Sequence, residues 1–214
     1  MKMIIMLCSQ KGGCGKSTLS VNIASCLAEM KKDCILVDSD IQKTSSRWAM
    51  DREENKTLPK IPSVQKYENI RGTLLDLSGR YEYVVVDSPG RDSKEMRTGI
   101  TASDLLIIPL KCSQPDLDTV PRMKLIIDEA REFNPQMKVM TVLTMVSTNP
   151  SVKEKEESKK YLKQYPELPL MNSVIHERKV YRDCMSQGKG VHELKNIKAS
   201  EEMKQLVKEI LCQK

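Results

Sequence analysis

Aromatic side chains and long apolar runs are scarce in this 214-residue sequence. Aromatic residues make up 4% of the chain, with one Trp and one Phe, so we do not expect a surface that stacks single-stranded nucleic acid on aromatic rings. No apolar stretch approaches the ~20 residues that span a bilayer. The N-terminal apolar run is followed at once by a polar segment and has no small-residue cleavage site, so we do not expect it to be a signal peptide. These absences predict a cytoplasmic protein without stable membrane association.

Paired cysteines and clustered histidines are lacking as well. The cysteines number seven, which is odd, and no two of them stand as C-x-x-C. This pattern argues against a disulfide framework and against a zinc site, and it favours reduced thiols. The only histidines, His176 and His192, are far apart in sequence, and we expect both at the surface.

Charge of either sign is moderate, and the net charge is +6. The excess of basic residues leans toward the C-terminal third, where residues 151–214 hold 14 Lys and Arg against 10 Asp and Glu. Such a bias is compatible with loose, salt-dependent DNA binding, although simple solubility explains it equally well. Length and a hydrophobic content of 39% suit one α/β domain over residues 1–214.

A glycine-rich loop at residues 9–18, which reads Ser-Gln-Lys-Gly-Gly-Cys-Gly-Lys-Ser-Thr, is the most informative stretch. It follows a predicted strand at Met3–Leu7 and precedes a helical pattern at Leu19–Met30. A strand that passes into a helix through glycines presents backbone N–H groups and the helix N-terminus to phosphate. Lys16 would then reach the β- and γ-phosphates, and the Ser17 hydroxyl would ligate Mg²⁺.

The loop departs from the usual P-loop at two positions. Gln10 stands in the place of the first glycine, and Lys11 adds a second lysine. This pattern resembles the deviant Walker A motif of the ParA/MinD family of ATPases. The resemblance implies that Lys16 serves its own nucleotide, whereas Lys11 reaches the partner's phosphates across an ATP-bound homodimer. The expected ATP-binding residues of the loop are Lys11, Gly12, Gly13, Cys14, Gly15, Lys16, Ser17 and Thr18.

Strands and helices alternate along the whole chain. This alternation predicts an α/β fold with a mostly parallel twisted sheet and helices on both faces. The resemblance adds that the sheet is that of a P-loop NTPase. Lys111–Leu117 occupies the place of a Pro-Ser-x-x-Asp-Leu turn of ParA relatives, with the proline displaced.

Aspartates close two of the predicted strands. Asp38 and Asp40 follow Ile35–Val37, and Asp87 closes the run that starts at Tyr83. Carboxylates at the carboxyl ends of parallel strands face the crevice where ligands bind. The alternative for Asp38 and Asp40 is that they only cap the next helix.

The resemblance gives these positions specific roles. Asp40 matches the switch I aspartate that positions the attacking water, which makes it catalytic together with Lys11 and Lys16. Asp38 supports the Mg²⁺ shell, and Asp87 matches the Walker B aspartate that holds Mg²⁺ through water. Gly90 would offer its N–H to the γ-phosphate as switch II.

The segment Val174–Val191 resembles the late part of small plasmid-type ParA proteins, where it lies beside the base and leads to a DNA-facing surface. Thr144 to Pro150 is expected by resemblance to contact adenine, so the choice of ATP over GTP also depends on resemblance. The C-terminal amphipathic helix is expected to pack on the domain rather than insert into a membrane. The candidate DNA-binding residues, for which a solvated helix face is the alternative, are Arg178, Lys179, Arg182 and Lys189.

The resemblance therefore implies a slow ATPase that uses ATP and Mg²⁺ to segregate plasmid or chromosomal DNA. Its ATP-bound homodimer would bind DNA without sequence preference and associate with the nucleoid. A centromere-binding adaptor of the ParB or ParG kind would stimulate hydrolysis and release the dimer. The alternatives are a MinD-like membrane-positioning ATPase, a ParA-like ATPase that positions a protein cargo, a reductase of the nitrogenase-iron-protein type and a ligase of the dethiobiotin-synthetase kind.

Overall fold

The computed structural model describes residues 2–149 and 151–213, in which strands and helices alternate. The strands are β1 (Met3–Leu7), β2 (Cys34–Asp38), β3 (Ser63–Gln65), β4 (Tyr83–Asp87), β5 (Leu105–Lys111), β6 (Lys138–Val146) and β7 (Leu170–His176). The helices are α1 (Lys16–Glu29), α2 (Thr44–Glu53), α3 (Arg71–Arg80), α4 (Lys94–Ile100), α5 (Gln114–Leu117), α6 (Val120–Arg131), α7 (Glu154–Leu162), α8 (Lys179–Met185) and α9 (Ile197–Leu211), and a short 3-10 helix spans Val191–Glu193.

The strands form one seven-stranded sheet in the order β3-β2-β4-β1-β5-β6-β7, and every neighbouring pair is parallel. This arrangement confirms the expected α/β fold. Strand β1 lies in the middle and is buried at all five residues, which is why it reads as a continuous apolar run. Because β1 pairs with β4 on one side and β5 on the other, the loop after β1 lies where ligands bind in such sheets.

The core lies on both faces of the sheet. Alternate residues of β1 belong to two apolar clusters, with Ile5 and Leu7 in one and Ile4 and Met6 in the other. The first cluster is completed by α1, α2, α8 and α9, and the second by α3, α4, α6 and α7. Helices therefore cover both faces, as the sequence predicted.

The C-terminal helix α9 packs on the domain as expected. Its apolar residues Ala199, Met203, Leu206, Val207 and Ile210 are buried in the first cluster. Within residues 2–149 and 151–213, no helix is both long and apolar enough to cross a membrane.

Several element boundaries differ from the sequence expectations. Strand β7 is not predicted from the sequence, and its last three residues fall within the segment Val174–Val191. The sequence from Arg91 to Thr101 reads as a helix, but α4 begins only at Lys94, because Ser93 caps it by accepting a hydrogen bond from the Met96 N–H at 3.2 Å.

The expectation that both histidines lie at the surface is wrong for His192. Its side chain is only 1% exposed, and Nδ1 lies 3.2 Å from the Cys26 sulfur. The cause is that the 3-10 helix folds against α1, where the Val191 N–H donates to Asn22 at 2.7 Å. His176 is half-buried.

Candidate functional site

The carboxyl ends of three neighbouring strands form the candidate site. In the register of the sheet, Leu7 of β1 aligns with Asp87 of β4, and Asp38 of β2 aligns with the same aspartate. The glycine-rich loop leaves β1 at this level. The fold thus brings together the loop and two of the aspartates singled out from the sequence.

The loop has the backbone geometry of an anion cradle. Gly13 and Gly15 have φ angles of 76° and 92°, in the left-handed region that favours glycine. Helix α1 begins at Lys16, directly after Gly15, and no side chain of residues 2–149 or 151–213 caps its first turn. The N–H groups of that turn therefore remain available to an anion.

Lys16 lies inside the loop, and the residue is only 6% exposed. Its ammonium donates to the Ser9 hydroxyl at 3.1 Å and to the Lys11 carbonyl at 3.3 Å. Among the described residues, no carboxylate comes within ion-pair distance of this ammonium. A buried cation with uncharged partners is costly, and a phosphate in the cradle would supply the missing charge.

Gly90 lies directly against the loop. A methyl group built on Gly90 would come within 2.8 Å of the Gly12 Cα and 2.9 Å of the Lys16 Nζ. Only glycine allows this approach, because any side chain would displace the loop or its lysine. The backbone of the predicted switch II thus contacts the phosphate loop.

Lys11 is held by its own subunit. Its ammonium forms an ion pair with Asp116 at 3.0 Å, and its side chain is 42% exposed whereas that of Asp116 is 3% exposed. The same carboxylate oxygen accepts a hydrogen bond from the Ser113 hydroxyl at 2.9 Å. The two lysines of the loop therefore differ in environment, one enclosed by the loop and the other at its rim.

Asp87 fits a magnesium site. It is completely buried, and neither carboxylate oxygen has a hydrogen-bond partner among the described residues. Burial raises the pKa of Asp87 to about 7, and the hydroxyl of Ser17 is the strongest opposing influence. Mg²⁺ is commonly bound through one or two carboxylates together with substrate phosphates. An orphaned carboxylate beside the Ser17 hydroxyl matches that set of donors.

Asp38 and Asp40 shape the loop between β2 and α2. The Asp38 carboxylate accepts hydrogen bonds from the Asp40 N–H at 3.1 Å and the Ser46 N–H at 2.8 Å. Asp38 thus caps the first turn of α2, and the register of the sheet also keeps it beside Asp87. Asp40 accepts from the Gln42 N–H at 2.9 Å, which closes a local turn near the surface.

A cavity of about 260 Å³ adjoins the start of α1, beside Gly15 and Thr18. Beside the loop, Met145 has a φ of 51°, and Thr144 donates to the Cys14 carbonyl at 2.9 Å. The end of β6 therefore contacts the loop. The base-contacting stretch expected from resemblance begins here, and its last residue, Pro150, lies outside the described residues. The rest of the cavity is lined by Leu19, Ile175, His176, Glu177, Arg178, Tyr181, Arg182 and Met185.

Glu202 holds together the three residues His176, Arg178 and Tyr181, which line the side of the cavity away from the loop. Glu202 was not identified from the sequence. Its carboxylate contacts the His176 Nδ1 at 2.9 Å, the Arg178 guanidinium at 2.6 Å and the Tyr181 hydroxyl at 3.3 Å. Glu202 belongs to α9, more than twenty positions from each partner. No local sequence signal could have placed it there.

Three of the four candidate DNA-binding residues have acidic partners. Arg178 pairs with Glu202, Lys179 with Asp183 at 2.7 Å, and Arg182 with Glu177 at 3.7 Å. The fourth candidate is Lys189, whose backbone carbonyl accepts the Trp48 indole N–H at 3.0 Å. The four residues lie along one segment but do not form a patch of unpaired positive charge.

The glycine loop, the enclosed lysine and the buried strand-end aspartate define a P-loop nucleotide-binding protein. Residues 5–191 match the family described as the CobQ/CobB/MinD/ParA nucleotide binding domain. The chain belongs to this family. The expectation of a nucleotide-binding ATPase of the ParA/MinD partition and positioning group is thereby confirmed.

Individual relatives agree with this assignment. The chain is 24% identical over 230 residues to the chromosome partitioning protein ParA of Myxococcus xanthus, covering 88% of this chain and 80% of the relative. It is 26% identical over 205 residues to the maintenance of carboxysome distribution protein A of Halothiobacillus neapolitanus, covering 94% and 93%. The structure of apo McdA from Cyanothece shares the fold with a TM-score of 0.79, at 17% identity, covering 99% of this chain and 100% of that chain.

Proposed function

We propose that this protein is an ATP-driven partition ATPase. Binding of ATP and Mg²⁺ closes a homodimer that binds DNA without sequence preference, and a cargo-bound partner protein stimulates the hydrolysis that releases it. The observation that carries this proposal is the contrast between Lys16, enclosed by the loop, and Lys11, exposed at its rim in an ion pair with Asp116.

The proposed nucleotide lies with its phosphates on the loop and its base in the adjoining cavity. Backbone N–H groups of Gly12, Gly13 and Gly15 would bind the phosphate oxygens, and Lys16 would neutralise the β- and γ-phosphates. Ser17 and Asp87 would hold Mg²⁺, and Asp38 would add negative charge to its surroundings. When bound, Mg²⁺ supplies charge neutralisation at the phosphate oxygens.

Dimer formation in this proposal depends on a change of partner by Lys11. In the free subunit its ammonium is held by Asp116, so its positive charge is already neutralised. The nucleotide of a second subunit offers several negative charges and can compete for the lysine. Lys11 would then leave Asp116 and bind the partner's phosphates.

Hydrolysis needs Asp40 to orient a water molecule at the γ-phosphate. In this structure the carboxylate of Asp40 instead accepts the Gln42 N–H. Release of this hydrogen bond would free the oxygen of Asp40 for the water, and such a step would fit a slow intrinsic turnover. Because Gly90 contacts the phosphate loop, binding of the γ-phosphate would change the conformation at Gly90 and so the position of the following helix.

Substitution of the two lysines tests the proposal. We expect Lys16→Ala to abolish ATP binding, because the enclosed charge is lost. We expect Lys11→Ala to bind ATP but form no ATP-dependent dimer. Calorimetry for nucleotide and sedimentation velocity for assembly make the two measurements, with ADP as the control nucleotide. A Lys11→Ala protein that dimerises with ATP would contradict the role in the partner's site.

A second candidate function is the positioning of a protein cargo. The similarity to the carboxysome distribution protein spans nearly the full length of both chains and favours this candidate. Both functions use the same ATP cycle and differ only in the cargo-bound partner. Co-purification of the ATP-bound dimer with native partners separates them, since a centromere-binding adaptor supports partition and a shell or scaffold protein supports the alternative.

A further inference from the structure

Lys111 is the last residue of β5, after six buried residues. Strand β5 pairs directly with β1, where Ile107 aligns with Leu7. The carboxyl end of β5 therefore lies beside the loop that leaves β1. A lysine that ends a buried parallel strand at this edge faces the ligand-binding side of the sheet.

The ammonium of Lys111 lies against the middle of the loop. A methyl group built on Gly13 would be 3.7 Å from its Nζ. The next strand, β6, approaches the loop from the same side. Its residue Thr144 aligns with Lys111 of β5 and donates to the Cys14 carbonyl. Lys111 thus belongs to the wall of the phosphate cradle, although it is distant from the loop in sequence.

Within the described residues, the ammonium of Lys111 makes no hydrogen bond and no ion pair. The other two lysines of the cradle have partners, since Lys11 binds Asp116 and Lys16 binds Ser9. The Asp116 carboxylate is already used by Lys11 and Ser113. Among the described residues, Lys16 and Lys111 therefore face the loop without a carboxylate partner, and a polyanion bound there would balance their charge.

We propose that Lys111 is a third phosphate-binding lysine, which contacts the phosphate oxygens of the nucleotide bound by its own subunit. This inference rests on the proposed function, in which ATP occupies the loop. Lys111 differs from Lys16, which comes from the loop itself, and from Lys11, which serves the partner subunit. Its contribution should grow with the number of phosphates on the nucleotide.

The test is Lys111→Met, which removes the charge and keeps an unbranched side chain. Lys32→Met is the matched control, because Lys32 is also half-buried but lies beyond the C-terminus of α1, at the opposite end of the sheet. Calorimetry gives the dissociation constants for ATP, ADP and AMP at a concentration where ultracentrifugation shows monomers.

We expect Lys111→Met to bind ATP about tenfold more weakly, as for the loss of a charge-assisted hydrogen bond. The loss should be smaller for ADP and absent for AMP. Lys111→Arg should bind ATP within about twofold of the wild type, because it keeps the charge. Lys32→Met should match the wild type with every nucleotide.

Three results would overturn the inference. The first is that Lys111→Met binds ATP as tightly as the control does. The second is that its affinities for AMP and ATP fall by the same factor. The third is that its affinity for ATP falls only at concentrations where dimers form. If Lys111→Met does not fold, Lys111→Gln replaces it with the same expectations. A wild-type protein that binds no ATP would instead overturn the proposed function, and the role of Lys111 with it.

Discussion

Asp87 shows how a buried group can be unfavourable for the free protein and useful for the ligand. Its carboxylate oxygens have no partner among the described residues, and burial raises its pKa to about 7. In the unfolded chain an aspartate titrates near its ordinary value of about 3.9. Between these pKa values the folded protein holds a proton that the unfolded chain has lost, so stability falls as the pH rises.

Asp87→Asn should therefore stabilise the nucleotide-free protein. At pH 8 we expect the free energy of unfolding to rise by about 1 to 4 kcal/mol, because the buried charge is removed. Near pH 4 the gain should vanish, since the native carboxyl is protonated there. Urea unfolding at the two pH values measures both effects, and a variant that is less stable at pH 8 would contradict the assignment. The same substitution should abolish the effect of Mg²⁺ on nucleotide binding.

Asp116 sets the state of Lys11 in the free subunit. We expect Asp116→Asn to lower the ATP concentration needed for half-maximal dimerisation by about threefold to tenfold, because Lys11 no longer has to leave a carboxylate. Sedimentation velocity across an ATP titration measures the shift. Asp118→Asn is a control on the same turn, since within the part of the chain that the structure describes its carboxylate accepts only from Gln114. An unchanged or raised ATP requirement in Asp116→Asn would show that the ion pair does not oppose assembly.

At the scale of elements, a buried ion pair joins α2 to the chain after α8. Arg52, whose side chain is 2% exposed, makes two hydrogen bonds to Glu193, at 2.7 and 2.8 Å. It also donates to the Gly188 carbonyl at 3.1 Å and lies 5.2 Å from the Trp48 ring. Burial alone would raise the pKa of Glu193, but the hydrogen bonds from Arg52 hold it below its ordinary value.

Arg52→Met should destabilise the protein by about 3 to 5 kcal/mol near neutral pH, because Glu193 is left buried without its partner. The loss should shrink in acid as Glu193 becomes protonated. The double variant Arg52→Met with Glu193→Gln should recover part of the stability at pH 7. Trp48 is the single tryptophan of the chain and lies at the junction, so its fluorescence reports the unfolding. If the double variant were destabilised as much as Arg52→Met alone at pH 7, that result would contradict this explanation.

The sequence predicted the elements that local patterns encode and missed those that depend on distant contacts. Strand β1, the loop and α1 follow from an apolar run, glycines and a helical repeat. The roles of Glu202 and Lys111 depend on tertiary structure, because the packing of α9 brings Glu202 to the site and the order of the strands brings Lys111 there. His192 was placed wrongly for the same reason, since its burial depends on packing against α1.

At the scale of the whole molecule, the net charge of +6 favours the proposed binding to the negatively charged DNA backbone. We expect the double variant Lys179→Ala with Lys189→Ala to lower the affinity of the ATP-bound dimer for DNA. The slope of log affinity against log salt should fall by about two if both lysines contact phosphates. Fluorescence anisotropy at several salt concentrations measures it, and the control is Lys163→Ala, an exposed lysine directly after α7. An unchanged slope would show that Lys179 and Lys189 do not contact DNA phosphates.

The central position of β1 has a consequence for the growing chain. This strand is made before its neighbours in the sheet, β4 and β5, which begin only at Tyr83 and Leu105. The phosphate loop therefore lacks support on both sides until β4 and β5 have been synthesised. Pairings between such distant segments form slowly, because a long stretch of chain must close first. A nascent protein halted before β5 should remain sensitive to protease and unable to retain nucleotide.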